Sequence, residues 1–308
     1  MFKSVMDFLA LDGIGIAAVA LGSYFAGAES SNEVKDVMDA ARIRSFPFQA
    51  GATLLTMNLG IQFLGPEKLN YLLMFYFILV GSNSIWFLIR LLVPKFKSPK
   101  LFTIPKSTSM VTELALPPDR TPFYLHDIPL YMIGVALNIY YFKTRDYIAN
   151  NIIAFSISFF SVLSLRIEKF SSAAPLLWGL LLYDAFFVYG TNVMETVAVN
   201  LQGPVKLIRR KGVHESVLGL GDLVLPGIFI AVCRRFDIFL YKCVRRRSHY
   251  WITAMIGYIL ALAITDIVCK ITRSGQPALV YIVPCLTIPI VVMALVKREY
   301  LAFFSFSG

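Results

Sequence analysis

The sequence predicts an all-α membrane protein, a polytopic bundle of nine transmembrane helices, and three observations carry that prediction. The 308 residues are 57% hydrophobic and 16% charged, against about 45–50% and 25% in soluble domains. Mean hydropathy is +0.68. Long apolar runs recur from one end to the other, separated by polar connections. No second compositional regime interrupts them, so residues 1–308 read as a single transmembrane domain, with helices one to five in 1–165 and helices six to nine in 166–308. An ordinary soluble domain is excluded.

A helix needs about 20 mostly apolar residues to span the hydrocarbon core. Nine windows qualify: 10–27, 46–65, 69–92, 127–142, 149–165, 173–192, 217–233, 250–269 and 277–296. Ahead of the first, Lys3 is the sole basic residue. Ala26-Gly27-Ala28 resembles a signal-peptidase site, but Asp7 and Asp12 spoil the basic leader such a peptide needs, so residues 1–28 read as a retained first helix. Gly65-Pro66-Glu67-Lys68 alone separates the second window from the third, which makes a tight re-entry turn. The longest connection, 93–126, carries Pro94, Pro99, Pro105, Pro117, Pro118 and Pro122 and reads as a loop or partly ordered surface segment. The sixth window holds Asp184, the seventh Asp222, the eighth Asp266, and Gln276-Pro277-Ala278-Leu279 opens the ninth. There is no internal repeat.

The net charge of +10 would suggest nucleic acid in a soluble protein. Here the basic residues sit in the connections, so membrane topology and lipid headgroups explain them, and no nucleic-acid partner is expected. With nine helices, 19 of the 29 Lys and Arg residues fall on the side that receives the C-terminus, and 10 on the other. That bias puts the C-terminus in the cytosol and the N-terminus outside it. Arg245-Arg246-Arg247 is the strongest anchor. Cys233, Cys243, Cys269 and Cys285 are too widely spaced for a metal or redox motif and read as packing residues. His126, His214 and His249 are too scattered to make a metal site. No cofactor or metal is expected. A Gly-x-Ser-x-Gly elbow, an HExxH zinc motif and a phosphate-binding loop are all absent from the sequence.

Two aspartates inside apolar helices demand an explanation, because a charge at the bilayer centre costs roughly 2.5–3.5 kcal/mol on insertion scales. Helices six and seven are antiparallel neighbours. Asp184 lies eight residues before Asn192, and Asp222 five after Val217, depths of roughly 12 and 8 Å below the same face. At one level, two carboxyls cannot both ionise and share a proton. One then draws a proton from water attacking a peptide carbonyl, while the other supports the developing oxyanion and protonates the leaving nitrogen. Gly219 and Gly221 remove bulk before Asp222, allowing close approach, and Pro226 and Gly227 would loosen the helix below. Asp266 has no adjacent glycine and reads as structural. Pro277 suits a helix start and Ala278 permits tight packing. On the residues alone an alternative stays open, a transporter or channel in which Asp184, Asp222 and Asp266 form a proton or cation path.

Tyr183-Asp184, Gly219-Leu220-Gly221-Asp222 and Gln276-Pro277-Ala278-Leu279 resemble the three signature motifs of the intramembrane aspartyl proteases, the signal peptide peptidase and presenilin group. Further similarity favours the signal peptide peptidase side: Ile148-Ala149-Asn150-Asn151 before helix five, Gly190-Thr191-Asn192-Val193-Met194, Ile228-Phe229-Ile230-Ala231, Arg235-Phe236-Asp237 and Tyr281-Ile282-Val283-Pro284. The likeness covers residues 120–300, and Phe187 departs from it where tryptophan is common. The resemblance implies a presenilin-like bundle with Asp184 and Asp222 catalytic, Tyr183 supporting the first, and Gly219, Leu220, Gly221, Gln276, Pro277, Ala278 and Leu279 shaping the site and engaging substrate. It implies an endoplasmic reticulum membrane location with a luminal N-terminus. Its partners would be transmembrane peptides (remnant signal peptides and type II membrane segments) and the lipid bilayer, with a homo-oligomer left open. A helical substrate must unwind before cleavage, and its extended stretch is expected to pair with a backbone edge near Pro277.

Overall fold

The computed structural model describes residues 2–28, 40–92, 100–103, 122–167, 169–191, 193–200, 203–211, 214–245, 247–272 and 276–306. In chain order the elements are α1 (Phe2–Ala28), α2 (Ala40–Leu64), α3 (Pro66–Leu92), β1 (Lys100–Thr103), β2 (Pro122–Tyr124), α4 (Asp127–Thr144), α5 (Tyr147–Ser164), α6 (Phe170–Gly190), α7 (Val193–Asn200), β3 (Lys206–Lys211), β4 (His214–Gly219), α8 (Gly221–Phe239), α9 (Tyr250–Thr272), α10 (Leu279–Val296) and α11 (Tyr300–Ser305). Among the described residues nine helices run for 18 residues or more, one for each apolar window. Five are long and apolar enough by themselves to cross a membrane: α3, α5, α6, α9 and α10. The ends of α8 carry Asp222 and Arg234-Arg235-Phe236-Asp237, and α2 opens with Arg42, Arg44 and Pro47.

Local chemistry sets several of the boundaries. Between α2 and α3, Gly65 takes φ +81°, the left-handed conformation that ends a helix, and Pro66 starts the next one where no N–H is needed. Asp146 caps α5 by accepting from the Ala149 N–H at 3.1 Å. Within the connection 93–126, β1 pairs antiparallel with β2. The prolines at 94, 99, 105, 117 and 118 lie outside the described residues, as do Asn192, Arg246 and Arg273.

One expectation fails. The seventh window, 217–233, is not helical from its start: residues 217–219 belong to β4, which pairs antiparallel with β3 from Lys206↔Gly219 to Lys211↔His214. Helix α8 begins at Gly221, so Asp222 lies in its first turn and the depth of five helical residues does not apply. Leu207 and Leu218 are buried across from one another while Val217 is 55% exposed. That is the two-residue alternation of a strand, and an apolar window judged by length alone cannot separate it from helix.

Helix α8 is the hub, packing against α1, α5, α6, α9 and α10. Phe229, Ile230, Val232, Cys233 and Phe236 are buried along it. Helices α9 and α10 approach closely at Gly257, where a β-carbon would collide with the Cys285 carbonyl, the small-residue contact that membrane helices favour. At the end of α8 away from Asp222, each residue of Arg235-Phe236-Asp237 ties the helix to a neighbouring segment. Arg235 donates to the Ile167 carbonyl at 2.5 Å. The Phe236 ring lies 4.7 Å from Phe303 of α11, which lies 4.3 Å from Phe170 of α6. Asp237 accepts from the Tyr250 and Trp251 N–H groups at 3.0 and 2.8 Å, capping α9 from a neighbouring helix. The base of the bundle is thus cross-linked, and the aspartates sit toward its other end.

Candidate active site

Asp184 lies on α6, six residues before its end, and is 7% exposed. Asp222 is the second residue of α8 and half-buried. The two helices pack together with opposite chain directions, and the carboxyl groups lie within electrostatic reach of each other. Asp222 reaches this position from a helix start, not from within a helix as the apolar window led one to expect.

The third segment joins them through its main chain. Pro277, Ala278 and Leu279 are buried. The Val280 N–H donates to the Pro277 carbonyl, and the Tyr281 and Ile282 N–H groups to that of Ala278, so these two residues begin the turn that becomes α10. The Leu279 N–H has no carbonyl behind it in the helix, as for every first-turn amide. It faces the Asp184 carboxyl as a donor. The positive end of the α10 dipole is thereby turned toward an acidic group. Gln276 lies just outside: its carbonyl oxygen accepts from the Tyr189 hydroxyl at 2.6 Å, and its amide nitrogen donates to Thr272 at 3.2 Å. Tyr189 thus ties the end of α6 to the entrance of α10, a contact that sequence reading missed.

The residues before Asp222 divide their roles. A β-carbon on Gly219 would sit 3.3 Å from Asp222 Oδ2, so this glycine leaves room for the carboxyl that follows it. At Gly221 a β-carbon would meet nothing within 4 Å among the described residues, and this glycine borders open space. Leu220 joins strand to helix. Its N–H donates to the Val205 carbonyl at 3.0 Å, and its carbonyl accepts from Leu223 and Val224 at 3.1 and 2.9 Å. Helix α8 continues through Pro226 and Gly227, with Pro226 leaving one main-chain carbonyl without its intrahelical donor. The Tyr258 hydroxyl of α9 donates to the Asp222 carbonyl at 3.1 Å.

Asn150 and Asn151, expected ahead of the fifth helix, stand in the first turn of α5. The Asn151 amide nitrogen donates to the Ile208 carbonyl at 2.7 Å, and its oxygen accepts from the Ile208 N–H at 2.8 Å. Asn150 donates to the Lys206 carbonyl at 2.7 Å. In an antiparallel pair, alternate residues turn their backbone groups away from the partner strand. The two asparagines occupy that outer edge of β3. Among the described residues no further strand covers the outer edge of β4, which leads directly into Asp222.

Tyr183 is half-buried, its ring 4.8 Å from that of Phe187. Both line an apolar groove of about 1140 Å³ between α2 and α6, with Pro47, Gly51, Leu55 and Gly179. Asp266 does not join the pair; it forms an ion pair with Lys270 one turn along α9.

The sequence matches the family model described as signal peptide peptidase over residues 29–308. It is 34% identical to the human signal peptide peptidase over 285 residues, 87% of this chain and 72% of that protein. It is 32% identical to the mouse signal peptide peptidase over 295 residues, covering 90% and 76%. Against intramembrane protease 2 of Caenorhabditis elegans it is 32% identical over 242 residues, covering 69% and 51%. Two acidic side chains within electrostatic reach across packed helices, and a match along nine-tenths of the sequence, lead to one conclusion: the chain belongs to the signal peptide peptidase family and is an intramembrane aspartic protease.

Proposed function

We propose that Asp184 and Asp222 are the catalytic pair, and that they cut transmembrane peptides presented between α2 and α6. The observation that carries this reading is the convergence of three separate segments: the α6 carboxyl, the α8 carboxyl and the Leu279 N–H at the start of α10. With one proton between two carboxyls, the ionised member takes a proton from water as its oxygen bonds to the scissile carbonyl carbon. The protonated member donates to the carbonyl oxygen. When the tetrahedral species collapses, the C–N bond breaks and the leaving nitrogen takes up a proton. Tyr183 supports Asp184 from the groove wall. Gly219, Leu220 and Gly221 shape the approach to Asp222, and Gln276 to Leu279 close the third side.

A peptide bond within a helix is shielded by its own hydrogen bonds, so the substrate must open locally. The edge of β4 that pairs with no further strand among the described residues would offer backbone groups to an extended segment beside Asp222, and strand addition of this kind needs no particular side-chain sequence. This reading adds β4 to the docking edge expected near Pro277. The nine-pass arrangement is supported by nine long helices lying on nine apolar windows. The bias in basic residues supports a luminal N-terminus and a cytosolic C-terminus. The names of the human and mouse relatives support signal peptides as substrates, while type II-oriented segments and an endoplasmic reticulum membrane location follow from the resemblance of the three motifs. The transporter alternative needs Asp266 as a third member of a path, and its ion pair with Lys270 speaks against that role.

The test is cleavage of a signal-peptide-derived transmembrane peptide by protein reconstituted in lipid vesicles, with proton and cation flux followed in parallel. The expected result is cleavage by the unmodified protein and none above background by D222N. Undiminished cleavage by D222N, or flux without any cleavage, overturns the reading.

A further inference from the structure

Pro226 stands one helical turn after Asp222 within α8. In an α-helix the N–H of each residue bonds the carbonyl four residues earlier, so the amide at 226 would hold the carbonyl of Asp222. Proline has no N–H to give. A helix carbonyl deprived of its intrahelical donor gains by finding another, because leaving it open forfeits a hydrogen bond. The donor comes from a different helix: the Tyr258 hydroxyl of α9 bonds this carbonyl at 3.1 Å. Tyr258 is 0% exposed, with its ring set in the main apolar core. Packing therefore holds the hydroxyl where it is.

The consequence falls on the carboxyl group. Asp222 is in the first turn of α8, where helices fray, and two glycines stand within three residues before it. An intrahelical bond would tie its main chain only to α8. The bond from Tyr258 ties it to α9, which is fastened in turn to the far end of α8 by the Asp237 cap. We propose that Tyr258 is a positioning residue for peptide hydrolysis: its hydroxyl supplies the donor that Pro226 withholds and so holds the main chain bearing the Asp222 carboxyl. Tyr258 acts through the carbonyl and touches no reacting atom. The inference rests on Asp222 belonging to the catalytic pair.

A double-mutant cycle between positions 258 and 226 tests it. Y258F removes the hydroxyl and keeps the ring. The expected loss in kcat is about tenfold with KM within about twofold, the scale of one hydrogen bond. P226A restores an N–H that can take the Asp222 carbonyl, so in the P226A background the same Tyr258→Phe change is expected to cost less than about twofold. A residue needed only for packing gives equal losses in both backgrounds, and that result, or a Y258F protein as active as the unmodified one, overturns the proposal. If P226A turns over too slowly to measure, the cycle is read from affinity for a hydroxyl-bearing transition-state-mimicking peptide. Y258F must then weaken binding about tenfold when Pro226 is kept and less than about twofold in the P226A background, and equal weakening overturns the proposal. D222N in the same assay separates the two levels. If it cleaves, the catalytic reading itself falls, whereas a cycle without coupling beside an inactive D222N removes only the role of Tyr258.

Discussion

At the scale of single residues, the space around Asp222 is fixed by what is missing. Gly219 has no side chain where a β-carbon would lie 3.3 Å from the carboxylate oxygen. G219A should reduce turnover and G219V should reduce it further, by about a hundredfold, since a displacement of roughly 1 Å in a reacting group has that effect. Gly221 has no such neighbour among the described residues, so G221A should be the milder of the two alanine changes. Equal losses for G219A and G221A, measured as kcat on one peptide, would contradict this division. Both glycines were visible in the sequence as a pair, but their difference was not, because it depends on where the following turn directs one side chain. Tyr258 shows the same limit. Pro226 signalled a missing helix bond, while the donor that replaces it comes from 36 residues further along than Asp222, in another helix.

At the scale of elements, the hairpin and the α9 cap invite separate tests. Asn151 holds both backbone groups of Ile208, so N151A leaves a strand amide and carbonyl to find other partners. Cleavage should fall by about tenfold, on the order of the two bonds lost, while N151D should recover less than N151Q because only an amide both donates and accepts. Asp237 works far from the site. D237A removes the acceptor for two amides and should lower stability by about 1 kcal/mol, seen as a lower thermal midpoint in detergent. An unchanged midpoint would mean that the cap contributes nothing measurable. The long helices were legible because a span of apolar residues is a requirement of length and composition, satisfied locally. The tight turn at Gly65 was legible for the same reason. The hairpin was not: apart from Asp222 the window over Val217 to Cys233 is apolar, and only the pairing and burial of Leu218 against Leu207 mark its first residues as strand. The partner of Asn151 lies 57 residues away, beyond any local pattern.

At the scale of the whole molecule, the two ends of the bundle do different work. One end is cross-linked by aromatic rings from α6, α8, α9 and α11, and there the chain has nothing to open. The other end gathers the carboxyls, the start of α10 and the hairpin, with a groove running down between α2 and α6. The motifs that bring these parts together were all readable, since each is a short run of residues whose chemistry is unusual for a membrane interior. A proton shared by the proposed catalytic pair would give the assembly a characteristic pH response. Below the optimum both carboxyls are protonated and none can accept from water; above it both are ionised and none can donate. Cleavage should therefore fall on both sides, with apparent pKa values that belong to the pair. A flat profile through the carboxylate range would contradict a shared proton.

The most direct measurement compares the cleavage rates of D184N, D222N and the D184N/D222N double variant in vesicles, each shown to keep the thermal midpoint of the unmodified protein. If the two carboxyls act as one unit, removing either should cost as much as removing both, about a thousandfold or more in each case. A single variant that retains nearly full rate, or a double variant whose loss is the product of the two single losses, would contradict the pair.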